Sequence, residues 1–359
     1  MKGIIAYCRA GFEKDAGVEI QETAGALGCF GFFRAKNNTG WILFECYQAE
    51  HYNILLQKLS VDKCIFIRQC FIVENEFPQL DSEDRLSAIR PVLSGLPSAS
   101  DIRIEHPDTN QGKELSRFCR KFMVPFRQAV KKENKFSDSE FVIFLFFVSS
   151  THCFVGYGKA QNCSALPLGI LRLKQPNNAP SRSTLKLDEA LQMFVPKKEW
   201  EERVKSGMHA VDLGACPGGW TYQLVRHGMF VQAIDNGMMA DVVMETGQVK
   251  HYQEDGFSYE PKKKNVTWLV CDMIEKPQRV AELMTAWIIK EWCKEAVFNL
   301  KLPMKKRYEC VQECLGIIKD MLRDNGIKRF EIKARHLYHD REEVTVLLRK
   351  MPDQTTRKR

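Results

Sequence analysis

No apolar run in this sequence exceeds eight residues. The longest is Phe141–Val148, where a membrane-crossing helix needs about 20. The opening stretch MKGIIAYCRAGFEKDAG has neither a long apolar segment nor a small-residue cleavage site, so no signal peptide is expected. The 13 cysteines include no CxxC pair and no cluster with histidine, which argues against a bound metal. Scattered thiols of this kind read as reduced and buried, in a soluble cytoplasmic protein with no membrane partner. Internal repeats are absent too. No interface signature stands out, so a monomer is expected.

What is present is an ordinary globular composition. The chain has 359 residues, 44% hydrophobic and 27% charged, enough for two or three domains. The formal charge of +8 is unevenly spread. Lys301–Arg359 holds 16 basic and 9 acidic residues, Lys113–Lys135 holds 8 and 2, and the first 300 residues together hold 37 and 36. Two positive clusters of this kind suit an acidic partner.

Residues 1–75 alternate short apolar runs with helical stretches. Gly3–Cys8, Trp41–Cys46 and Cys64–Val73 read as strands, and Phe12–Leu27 and Tyr52–Leu59 as helices, a βαββαβ-like α+β unit. Residues 76–160 form a second region, with strands at Ile102–Glu105, Phe141–Val148 and Cys153–Tyr157. A basic helical stretch, Lys113–Lys132, is expected to be interrupted at Pro125. Residues 161–180, rich in Asn, Pro and Ser, read as a linker. From 181 to 359 strands alternate with helices, the pattern of a mostly parallel, doubly wound α/β sheet.

The strongest local signal is Met208–Leu224, MHAVDLGACPGGWTYQL. A strand ends at Asp212, glycines follow at 214, 218 and 219, and a helix begins near Trp220. Glycines let backbone approach a ligand closely, and a helix N-terminus offers free N–H groups. A second strand, Met229–Ile234, ends in Asp235, 21 residues after Gly214, where an acid suits a ribose diol. The spacing is not GxGxxG, which weakens a nicotinamide dehydrogenase reading.

DLGACPGGW resembles the first motif of S-adenosylmethionine (SAM) methyltransferases. That resemblance implies a Rossmann-like sheet and a SAM site formed by Ser183, Gly214, Cys216, Pro217, Gly218, Gly219, Trp220, Asp235, Asp255 and Asp272. Asp272 follows the strand Thr267–Cys271, and Lys301 follows Ala296–Leu300, both in the row where open α/β sheets bind ligands. Cys271 reads as core. Ser181, Arg182, Lys186, Leu187 and Glu189, with Asp272, Lys301 and Glu343, resemble the FtsJ-type RNA ribose 2'-O-methyltransferases, which carry a Lys-Asp-Lys-Glu tetrad. The implied set is Lys186, Asp272, Lys301 and an acid at the head of EEVTVLL; position favours Glu343 over Glu342. A lysine serves as base only if its pKa is lowered, so Lys186 beside Lys301 is expected to lower it.

In the N-terminal half, Arg117, Arg120, Lys121, Arg127, Lys131 and Lys132 interleave with Phe118, Phe122 and Phe126. The stretch resembles a THUMP domain, an RNA-binding module often preceded by a ferredoxin-like domain. Lys305, Lys306 and Arg307, together with Arg335 and Arg341, are further candidates for RNA phosphates. The order of motifs resembles a family of bacterial large-subunit rRNA methyltransferases, which implies a cytidine of 23S rRNA as target, reached before full ribosome assembly. A small-molecule O-methyltransferase and an RNA-binding assembly factor with an inert methyltransferase fold remain alternatives.

Overall fold

The apolar run that is too short to cross a membrane becomes a strand buried on both faces. In β6, Phe141–Phe147, Ile143, Leu145 and Phe147 enter one core cluster and Val142, Phe144 and Phe146 another. A strand sandwiched between two layers has no reason to alternate with polar residues. The computed structural model describes residues 3–352 and divides into two units, 1–171 and 172–359. Arg357, Lys358 and Arg359, part of the C-terminal positive cluster, lie outside the described residues.

The first unit is built on one seven-stranded sheet in the order β2-β3-β1-β4-β7-β6-β5. Its strands are β1 (Gly3–Tyr7), β2 (Gly31–Ala35), β3 (Trp41–Cys46), β4 (Gln69–Phe77), β5 (Asp101–Glu105), β6 and β7 (Cys153–Lys159). Pairing is antiparallel except between β5 and β6. Two local expectations change. β2 is a strand the sequence pattern does not announce. The strand expected from Cys64 begins only at Gln69, because the backbone N–H groups of Ile65, Phe66 and Ile67 donate to the buried carboxylate of Glu19 instead of to a neighbouring strand.

Pro125 does not interrupt its helix, which runs unbroken from Ser116 to Lys132. A proline removes one backbone hydrogen bond. Here the apolar face offsets that loss: Phe126, Ala129 and Val130 are buried, and Phe118 and Phe122 meet the ring of Phe147 edge-on at 4.9 and 5.5 Å.

The second unit carries a seven-stranded sheet in the order β10-β9-β8-β11-β12-β14-β13. The strands are β8 (His209–Leu213), β9 (Phe230–Ile234), β10 (Val249–Tyr252), β11 (Val266–Cys271), β12 (Cys293–Lys301), β13 (Phe330–Arg335) and β14 (Glu343–Lys350). β8 to β12 are mutually parallel, and β14 runs antiparallel between β12 and β13. Helix Thr184–Phe194 and helix Gly219–Arg226 bury Leu187, Leu191, Trp220 and Leu224 against Trp268, Val270 and Leu347 of the sheet. Register then aligns the functional edge: Leu213 pairs with Ile234 and Cys271, Cys271 with Phe298, and Lys301 with Glu343.

Helix Thr184–Phe194 is also tied to the loop that precedes β14. The Glu189 carboxylate, 2% exposed, accepts the backbone N–H groups of Tyr338 and His339, both at 2.8 Å. Removing it takes the charged acceptor from two half-buried N–H groups. Glu189→Ala is therefore expected to lower stability by about 2–4 kcal/mol in urea denaturation. A loss below about 0.5 kcal/mol would show that the clamp contributes nothing.

Candidate active site

Four charged side chains from four elements converge at the carboxyl edge of the second sheet. Lys186 comes from the first turn of its helix, Asp272 from the residue after β11, Lys301 from the end of β12 and Glu343 from the start of β14. Lys186 Nζ lies 3.0 Å from Asp272 Oδ2 and 2.6 Å from Glu343 Oε1. Lys301 Nζ donates to Asp272 Oδ1 and, at 2.9 Å, to Glu343 Oε2. Each carboxylate thus bridges both ammoniums, and each ammonium both carboxylates. Side-chain exposures of 9–20% leave the cluster partly open to solvent.

The electrostatics differ from the expectation that Lys186 lowers the pKa of Lys301. Burial does disfavour the Lys301 ammonium. Asp272 and Glu343 outweigh it, and the pKa stands above the ordinary 10.5. Burial likewise favours neutral Glu343, but Lys301 and Lys186 hold its carboxyl below the ordinary range. The cluster at rest is two ammoniums and two carboxylates, with no net charge.

Of the two adjacent glutamates, Glu343 faces the lysines. Glu342 is 61% exposed on its side chain and pairs with Arg307 at 2.9 Å. Cys271 is buried in β11 and burial pushes its thiol up to about 12, the behaviour of a core residue and not of a nucleophile.

Next to the cluster opens a cleft of about 480 Å³, lined among others by Gly214, Cys216, Asp235, Asp255, Phe257 and Asp272. Gly214 has φ +73°, and a Cβ there would stand 2.2 Å from Met273 Cγ, so only glycine makes this floor. Asp235 Oδ2 accepts the Cys216 N–H at 2.9 Å and Oδ1 the Gly237 N–H at 2.7 Å, which fixes the carboxylate with acceptor capacity on both oxygens. Asp255 Oδ1 accepts the Phe257 N–H at 3.0 Å. A hydroxyl-rich nucleoside fits this donor-seeking lining, and the volume is that of a small-molecule site.

Ser183, Pro217, Gly218 and Gly219 shape the turn beside the cleft. Gly218, at φ +110°, precedes helix Gly219–Arg226, and a Cβ on Gly219 would meet Ser183 Oγ at 2.0 Å. Trp220 departs from its expected role as a ligand contact. Its side chain is 2% exposed inside the core, because the helix it begins turns that position toward the sheet.

Sequence reasoning missed two buried groups. Asp212, at the end of β8, is pushed up to about 7 by burial, although Thr221 Oγ1 donates to it at 2.6 Å; Asp272 and Asp235 add to the rise. Asn299 donates to Asp272 at 2.8 Å. Its position two residues before Lys301 on one strand was the signal that could have found it.

The positive stretches resolve differently. On helix Ser116–Lys132, Arg117, Arg120, Lys121, Arg127, Lys131 and Lys132 are exposed while Phe118, Phe122 and Phe126 face the core, so the rings are packing and not a stacking platform. Lys305 and Lys306 are exposed, Arg307 is largely covered beside Glu342, Arg335 is 7% exposed and Arg341 is exposed. Among the described residues no group of histidine, cysteine and acidic side chains could hold a metal ion, and no helix is long and apolar enough to cross a membrane.

Comparison with known proteins gives this geometry a family. Residues 1–71 match the RlmM ferredoxin-like domain, 84–159 the N-terminal model of ribosomal RNA large subunit methyltransferase M, and 179–344 the FtsJ-like methyltransferase model. The chain is 55% identical over 353 residues to ribosomal RNA large subunit methyltransferase M of Aliivibrio salmonicida, covering 96% of this chain and 97% of that one. Identity to the protein of the same name from Shewanella putrefaciens is 52% over 352 residues, 97% and 98% of the two chains. The cofactor is S-adenosylmethionine, and Asp235 and the Gly214 floor suit its ribose. With this likeness along nearly its full length, the chain belongs to the ribosomal RNA large subunit methyltransferase M family.

Proposed function

We propose that this protein methylates the ribose 2'-hydroxyl of a cytidine in large-subunit rRNA, with Lys301 as general base. The observation that carries the reading is the four-way ion cluster, whose Asp272 also lines the neighbouring cleft. The identity of the base rests on resemblance to the family alone. When bound, SAM supplies an electrophilic methyl group.

The residues around it divide the remaining work. Asp235 would hold the cofactor ribose and Asp255 its adenine, over the floor made by Gly214. The substrate hydroxyl is a weak nucleophile until its proton leaves, and a positioned base contributes about 10²–10⁴-fold. Neutral Lys301 would accept that proton at Nζ. Lys186 remains an ammonium between Asp272 and Glu343, so both carboxylates keep a partner while Lys301 is neutral. Asp272 and Glu343 fix both amines in place, and fixed geometry contributes to rate independently of proton transfer.

Resting Lys301 is protonated, so the reactive form is scarce. With a pKa above 10.5, roughly one molecule in a thousand or fewer has it neutral at pH 7.5. A weaker, more abundant base would come from removing a carboxylate, at the cost of alignment. In the first unit, the exposed face of Arg117, Arg120, Lys121, Arg127, Lys131 and Lys132 would bind RNA phosphates, and in the second Lys305 and Lys306. We divide the chain by function into a ferredoxin-like region at 1–75, a THUMP-like RNA-binding region at 76–160, a linker at 161–180 and the methyltransferase region at 181–359. A substrate not yet fully assembled into the ribosome suits a site that must reach a ribose.

Lys301→Ala is expected to bind SAM with unchanged affinity by calorimetry and to lose methyl transfer by at least about 10²-fold. Near-parental turnover would remove Lys301 from the role of base. Since the base must be neutral and its pKa is raised, kcat/KM should climb about tenfold per pH unit from pH 7 to 9; a plateau below pH 8 contradicts this. Lys131→Glu with Lys132→Glu should weaken rRNA binding and flatten the slope of log affinity against log salt by about 2. An unchanged slope places the phosphates elsewhere.

A further inference from the structure

Asp272 receives one hydrogen bond that the ion cluster does not supply. Asn299 lies two residues before Lys301 on β12, so strand alternation turns both side chains to one face. Its Nδ2 donates to Asp272 Oδ1 at 2.8 Å. Thr345 is the cross-strand partner of Asn299, as Glu343 is of Lys301. Thr345 Oγ1 lies 2.7 Å from Asn299 Oδ1, and 3.0 and 2.9 Å from the two carboxyl oxygens of Asp340. Asn299, Thr345 and Asp340 are all 0% exposed.

Counting donors gives these contacts a direction. Asp272 is held by two ammoniums, so it is ionised and only accepts. Asn299 must therefore turn its amide N–H toward Asp272 and its carbonyl toward Thr345. That carbonyl only accepts, so Thr345 commits its single O–H to it. Thr345 then offers Asp340 nothing but lone pairs, and Asp340 must carry a proton and donate. Its Oδ2 accepts the Leu337 N–H at 3.0 Å, which leaves Oδ1 for the proton. Burial, with the charges of Glu343 and Glu189, raises the Asp340 pKa well above the carboxylate range and supports the same protonation state.

We propose that Asp340, Thr345 and Asn299 form a one-way chain of buried hydrogen bonds that fixes the Asp272 carboxylate, with neutral Asp340 as the donor at its far end. The inference rests on the tetrad reading above. All three are positioning residues, since none touches the reacting atoms. The chain has a purpose the ion pairs cannot serve. Two flexible lysine side chains balance the charge of Asp272 but do not set its plane. A short, buried amide between two sheet strands does, and it stays in place when Lys301 gives up its proton.

The test uses the full-length enzyme, rRNA and SAM, with kcat and the KM for SAM measured separately and melting followed for each variant. Thr345→Val and Asn299→Leu should lower kcat about tenfold or more with KM for SAM changed less than about threefold. Thr345→Ser should restore activity, and Thr345→Val should add nothing in the Asn299→Leu background, because both break one series. Asp340→Asn should stay within about threefold of the parent, since a carboxamide keeps one donor and one acceptor. Parental kcat in Thr345→Val, or an Asp340→Asn enzyme as impaired as Thr345→Val, overturns the chain. Lys301→Ala is run beside them: if it is inactive while Thr345→Val is normal, the chain alone fails, and if it is active the tetrad reading fails. Should Thr345→Val not fold, an infrared difference spectrum of the parent against Asp340→Asn at pH 8 decides. Loss of a protonated-carboxyl band supports the chain, and loss of an ionised-carboxylate band overturns it.

Discussion

The pairing of Lys301 with Glu343 across β12 and β14 is the contact on which the site depends. It is a register statement before it is a chemical one. A one-residue slip of either strand would turn one partner to the opposite face of the sheet. Because β14 inserts antiparallel between β12 and β13, an acid from late in the chain arrives beside a lysine delivered by a parallel strand. Asp272, from the neighbouring strand end, and Lys186, from the helix below, then close a square of alternating charges.

That square explains both the stability of the arrangement and its chemical reserve. A buried charge left without a partner costs several kcal/mol, and here each carboxylate touches both ammoniums, so one partner remains when the other is neutral. Together they neutralise each other and hold two amines within reach of an open cleft. The same attraction that keeps Lys301 in place keeps it protonated. With Lys301 in the proposed role of base, proton transfer would be coupled to the charge balance of the whole cluster, and the neutral lysine would form already held beside Asp272 and Glu343.

Much of this was legible in the sequence. Strand, glycine turn, helix and Asp235 are local in the chain, and local order survives folding: the turn, the φ +73° glycine and the acid at the strand tip all appear where the pattern puts them. Asp272 and Lys301 were legible as strand-end residues at the ligand-binding edge, but their union with Lys186 and Glu343 was legible only through resemblance, since nothing in their spacing brings together four residues spread over more than 150 positions. What stayed hidden depends on partners far away in sequence. Glu19 captures the amides of residues 65–67 and delays β4, Pro125 is absorbed by packing around Phe147, and Trp220 turns into the core. The raised pKa of Lys301 was also beyond reach, because a count of nearby cations says nothing about two carboxylates that touch the same atom.

Whether the lysine cluster activates a ribose hydroxyl is decided by the chemical position of the transferred methyl. Large-subunit rRNA lacking the modification is incubated with the enzyme and isotopically labelled SAM, digested to nucleosides and resolved by mass spectrometry. With Lys301 as the base, the label is expected on the ribose of a single nucleoside, 2'-O-methylcytidine. Label on a base carbon or nitrogen would contradict it, since neither acceptor requires a lysine to remove a hydroxyl proton.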